Sequence, residues 1–164
     1  MGMKKTENTT SLSKLYHDFV SGKIYLPSWQ RHGKAWDKIK TVGFQNAIIE
    51  IIKQQKIQEE PIVRLETPFY VFRIAGDEDS RLGLNDGGNR LNAIRELVEK
   101  DLFGRIEKDL ELVGVSQQYW IYESEKDAYE SYFRINNGTT FTPRELAYGI
   151  FATKLTNYDI LWNP

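Results

Sequence analysis

The feature that most constrains this chain is the run LGLNDGGNRLNAIREL, from Leu82 to Leu97. A short apolar stretch ends in Asn85-Asp86-Gly87-Gly88, and a helical apolar spacing at Leu91, Ile94, Leu97 and Val98 begins at once. A strand that turns this tightly into a helix needs glycine where the backbone is strained or must approach a neighbour closely. The first turn of such a helix leaves N–H groups unpaired, and its dipole favours an anion there. Gly87 and Gly88 keep that approach clear of side chains. Asn89 is placed to cap the helix, and Arg90 adds a forked cation suited to phosphate oxygens. Asp86, at the strand end, is placed to hold a metal ion or to orient a water. The same residues also make an ordinary capped turn, and on this segment alone both readings stand.

The rest of the chain interleaves helical and strand patterns. SLSKLYHDFVSG sets Leu12, Leu15, Tyr16 and Phe19 on one helical stripe, with Ser11 as N-cap and Gly22 as the stop. KIYLPSWQRHGKAWD reads as a loop loaded with aromatics. TVGFQNAIIEIIKQQ puts Phe44, Ile48, Ile51 and Ile52 on one helix face. PIVRLE, FYVFRIA, RLGLN and YWIYE read as strands, GDEDS as a solvated turn. SEKDAYESYFRIN is helical, and a last helix runs through PRELAYGIFATKL, started by Thr142, Pro143 and Glu145. Some strand pairs are joined by short turns. The expectation is therefore an α+β domain, a small mixed β-sheet packed by about five helices, rather than a doubly wound parallel sheet. At 164 residues the chain is long enough for one domain with one core. Residues 1–10 are expected to be a flexible N-terminus and 11–164 the domain itself. The ending NYDILWNP raises the expectation that the natural protein continues.

Charge and composition narrow the chemistry. A net charge of −1 gives no support to a strongly basic nucleic-acid binder, although a local patch can do that work. With 0 cysteines there is no disulfide, thiolate zinc site or cysteine nucleophile. The absence of cysteine fits a cytoplasmic protein. No apolar run approaches the roughly 18 residues that span a bilayer, so no membrane partner is expected. The two histidines, His17 and His32, are not spaced as metal ligands.

Two further segments frame the central one. In LPSWQRHGKAWD, Gln30 and Arg31 sit between Trp29 and Trp36, and an arginine held among large apolar groups suits an anion or a buried carboxylate. In YFRINNGTTFTPRELAYG, Arg134 and Asn136 close one helix before a left-handed stop at Asn137-Gly138. The ordered set LPSWQRHGKAWD, DGGNRLNAI and YFRINNGTTFTPRELA resembles the ParB/sulfiredoxin-like superfamily. Within it, the set is most similar to the N-terminal domain of GmrSD-type modification-dependent restriction systems. The resemblance spans Leu26 to Ala147 and implies a ParB-like domain that binds and hydrolyses a nucleoside triphosphate in DNA sensing, restriction or processing. It implies nucleotide binding by Gln30, Gly87, Gly88, Asn89 and Arg90, with Asp86 and Arg31 catalytic. Asp86 would also take magnesium, and Arg134, Asn136 and Gly138 would touch phosphate or DNA. The chain departs from the family at Gly88 and Asn89, where two glutamines are usual. The family's larger C-terminal regions are also missing, which makes a protein partner or a further domain part of the expectation. The alternative is a non-catalytic DNA- or protein-binding module in which any nucleotide acts only as a switch.

Overall fold

A computed structural model of the chain describes residues 4–30, 35–57, 64–77 and 81–135. It has the expected α+β architecture. In chain order the elements are β1 (Lys4–Ser11), α1 (Leu12–Val20), β2 (Ile24–Tyr25), α2 (Lys38–Ile57), β3 (Arg64–Ile74) and β4 (Leu82–Asp86). They continue with α3 (Gly88–Lys100), α4 (Arg105–Asp109), a 3₁₀ turn at Leu110–Leu112, β5 (Gly114–Tyr122) and α5 (Glu125–Ile135). The last expected helix, with Thr142, Pro143 and Glu145, lies outside the described residues.

The strands form one mixed sheet in the order β1-β5-β3-β4-β2. β1 runs antiparallel to β5, and β3 antiparallel to β4. The pairs β3/β5 and β2/β4 are parallel. Successive residues of a strand point to opposite faces, and β3 uses both: Val71 and Phe72 are each fully buried, on opposite sides of the sheet. One face carries the main core, where Leu12, Leu15 and Phe19 of α1, Ile48 and Ile52 of α2, and Leu91 and Ile94 of α3 meet Phe69, Val71 and Leu84. On the other face Trp29, Phe72, Tyr122, Ala128, Tyr129 and Tyr132 form a second, aromatic cluster beneath α5.

Several local expectations hold. The Ser11 hydroxyl accepts from the Lys14 N–H at 3.1 Å and caps α1, and Gly22 follows that helix at φ +86°. Two expectations change. The N-terminus is not a loose tail: from Lys4 it pairs with β5 along its whole length, where β-branched threonines suit an edge strand. PIVRLE and FYVFRIA give one strand rather than two, so far as they are described, with a break in register. Leu65 lies opposite Val115 and Phe69 opposite Gln117, leaving Glu66, Thr67 and Pro68 against Ser116 alone. Proline has no N–H for a ladder and belongs at such a bulge.

Candidate functional site

The β4–α3 turn is shaped by Gly87. It stands at φ +116°, ψ 4°, and its carbonyl accepts the first helical bond, from the Leu91 N–H at 2.9 Å. A Cβ there would lie 2.3 Å from the Phe69 ring. Glycine is thus required twice over, by conformation and by contact. Gly88, Asn89 and Arg90 then form the first turn of a 13-residue helix that has no side-chain cap. Asn89 does not serve as the expected cap. It sits one residue inside the helix, and its Oδ1 accepts from the Trp36 N–H at 3.3 Å.

The loop of the first motif closes on this turn. Gln30 Nε2 donates to the Leu84 carbonyl at 2.9 Å. A Cβ on Gly88 would lie 3.5 Å from Gln30 Oε1 and 3.0 Å from Leu26 Cδ2. The glycine that departs from the family pattern is therefore covered by Leu26 and Gln30. A longer side chain there requires Leu26 to move by a few tenths of an ångström. Trp36, packed edge-on against Phe44, continues the wall on the side of Asn89. The first two motifs, about fifty residues apart in the chain, are thus in direct contact through Trp36 and Asn89.

Arg90 is 8% exposed. Its guanidinium donates to the Thr67 carbonyl at 2.7 Å and the Pro68 carbonyl at 2.9 Å, and approaches Asp86 Oδ2 at 3.4 Å. It also lies over the Phe69 ring, 4.0 Å from the centroid. Arg90 therefore pins the bulge of β3 to the helix. Asp86 has burial as its dominant influence, which raises its pKa. The Arg90 charge and the Gly87 N–H act in the opposite direction but do not cancel it. A carboxyl so placed holds a proton more readily than a surface aspartate does.

The third motif is reached through its helix. Arg134 is exposed in the last turn of α5, and its charge is one of the influences that lower the Tyr122 pKa against the larger effect of burial. Asn136 and Gly138, like Arg31 and His32, lie outside the described residues. α5 itself is tied to the turn by Asn85. This residue is 1% exposed, and no sequence motif singled it out. It accepts from Trp29 Nε1 at 3.0 Å and donates to the Ala128 carbonyl at 2.8 Å. The signal was present in the sequence as an amide in the otherwise apolar strand LGLN, one residue before the acid.

Among the described residues no group of three or more His, Asp or Glu side chains forms a metal cage, and no helix is long and apolar enough to cross a membrane. A cleft of about 310 Å³ lies elsewhere, beside the β3 bulge, between Pro68, Glu7–Thr9 of β1 and Ser116–Gln118 of β5. Among the described residues its lining holds a carboxylate and no cation, which does not suit a phosphate. Comparison of the chain with protein-family models, with curated proteins and with solved structures finds no match in any of the three.

Proposed function

We propose that this chain is a ParB-like domain that binds a nucleoside triphosphate at the first turn of α3 and hydrolyses it in a DNA-related process in the cytoplasm. One observation carries the reading: Gln30 and Trp36, from one motif, close on Leu84 of β4 and on Asn89 of the next motif, around a helix N-terminus that begins with glycine and has no side-chain cap. Backbone N–H groups at such a terminus suit phosphate oxygens. In this reading Gly88 and Asn89 hold the phosphates from the backbone, and Gln30 orients them from the opposite loop. Arg31 stabilises the charge that develops as the terminal phosphoryl group leaves. Arg90 adds positive charge from below while it pins the bulge.

Asp86 suits the acceptance of a proton from the attacking water, because its raised pKa brings it closer to neutral. A single carboxylate also fits magnesium that arrives with the phosphates, an ion that keeps several waters and needs few protein ligands. When bound, that ion would neutralise phosphate charge. Arg134, Asn136 and Gly138 are the residues proposed to meet the DNA backbone.

The test is magnesium-dependent phosphate release with each nucleoside triphosphate, with and without duplex DNA. Loss of one charge-stabilising donor costs about 2.7–4 kcal/mol in the barrier, so Arg31→Ala should slow release by about 10²–10³-fold. Asp86→Ala should slow it as well. Unchanged turnover in both folded variants discards the enzyme. The second reading, a binding module that uses nucleotide as a switch, is favoured by the commitment of Arg90 to two protein carbonyls. Saturable nucleotide binding without phosphate release selects it.

A further inference from the structure

The amide of Asn85 has its groups assigned by its neighbours. An indole N–H can only donate and a peptide carbonyl can only accept. The oxygen therefore faces Trp29 Nε1 at 3.0 Å and the nitrogen faces the Ala128 carbonyl at 2.8 Å. A hydrogen bond with the same amide is one of the influences that lower the Tyr122 pKa, against the larger effect of burial, and the Tyr122 hydroxyl donates to Ser131 Oγ at 2.5 Å. Asn85 thus has two arms. One reaches the loop, where Trp29 precedes Gln30. The other reaches β5 and α5.

We infer that Asn85 is a positioning residue: through Trp29 it sets the Gln30 amide against Leu84 and Gly88 at the first turn of α3. The inference rests on the proposed nucleotide reading for its functional consequence. Its geometric content does not. Trp29 is held by this bond, by stacking on Phe72 at 5.9 Å, and by an edge contact with Tyr129 at 6.1 Å. The two ring contacts set the plane of the indole, and the hydrogen bond ties its Nε1 edge to Asn85, next to the point where the chain leaves for Gln30.

Two conservative variants separate positioning from simple core stability. Trp29→Phe deletes the donor of the loop arm. Tyr122→Phe deletes the hydroxyl of the other arm. Each removes one hydrogen bond from the same buried amide, so a purely structural role predicts that they behave alike. The first readout needs no ligand: the side-chain amide resonances and hydrogen exchange of Gln30 report its bond to the Leu84 carbonyl. Trp29→Phe should shift these resonances and speed exchange at least tenfold, and Tyr122→Phe should leave both as in the parent. The second readout is titration with fluorescent ATP and GTP analogues plus magnesium, at a temperature where both variants are folded. Affinity should fall at least tenfold in Trp29→Phe and stay within twofold in Tyr122→Phe.

Equal behaviour of the two variants at Gln30 overturns the inference, whatever the nucleotide data show. A parent protein that binds no nucleotide, with Gln30 released only in Trp29→Phe, overturns the proposed function and leaves the positioning role standing. Should Trp29→Phe fail to fold, Tyr122→Phe and Ser131→Ala still decide, because a displaced Gln30 amide in either one contradicts it.

Discussion

Two adjacent glycines illustrate how differently neighbouring positions can be constrained. Gly87 combines a positive φ with a position against the Phe69 ring, so Gly87→Ala brings backbone strain and a steric clash together. Overpacking alone costs about 1–3 kcal/mol, and the left-handed backbone about 1–2 more. Urea denaturation should show a loss of about 2–5 kcal/mol by these two costs. Gly88 has a helical backbone and meets only the end of a leucine side chain closely, so Gly88→Ala should change stability by no more than about 1 kcal/mol. Asp86 makes a pH-dependent prediction. Its folded pKa lies above the unfolded value, so protonation favours the fold, and its contribution to stability diminishes as pH rises through the folded value. The neutral Asp86→Asn removes this dependence. The difference in unfolding free energy between variant and parent should therefore move in the variant's favour from pH 4 to pH 7, as read by urea melts across that range. A difference that moves the opposite way would mean that the attraction of Arg90, not burial, governs this carboxyl.

At the scale of elements, α1 and α4 are joined by His17. Its Nδ1 lies 2.8 Å from the Ser13 carbonyl and its Nε2 lies 2.9 Å from Glu107 Oε1. The Ser13 carbonyl and the Glu107 carboxylate are both acceptors, so this arrangement favours the doubly protonated, cationic ring. The Glu107 bond is the largest cause of its raised pKa, and burial works weakly against it. The stabilisation is therefore complete below the ordinary histidine value and is lost as pH rises through the raised one. An NMR titration should find the pKa of His17 lowered by Glu107→Gln. Because the pair is half-exposed, stability should change by less than about 1 kcal/mol.

The elements that were legible in the sequence share a simple origin. α1, α2 and α3 each bury one stripe, and helical spacing records a stripe directly. β1 was illegible because an edge strand buries little: its polar KKTENTTS reads as a solvated tail until β5 is placed beside it. At the site, the resemblance grouped the Gln30 loop with the β4–α3 turn, and their contact appears only in the folded chain. The engagement of Arg90 with Thr67 and Pro68 was not legible, because it depends on a bulge in a strand that carries no motif. Asn85 was hidden for a related reason. Its partners are the Trp29 indole and the Ala128 carbonyl, and nothing in the local spacing pairs either one with an amide on β4.

For the whole molecule, the sheet order has a mechanical cost. β5 is held between β1, from the start of the chain, and β3, from its middle. Removing residues 1–11 would strip one side of β5 of its ladder and would also delete the Ser11 cap. A bare strand edge recruits other chains. Size-exclusion chromatography should show the shortened protein as dimers and larger species, and an unchanged elution profile would mean that β1 adds little to the sheet. The same strand pairing also governs the order of events at birth. Glu7 and Gln118 meet across a separation of 111 residues. On a ribosome that adds about 5–20 residues per second, the first strand emerges on the order of ten seconds before its neighbour is made. Through that interval it has no native ladder to join, and its lysines, glutamate and threonines keep it dissolved while it waits.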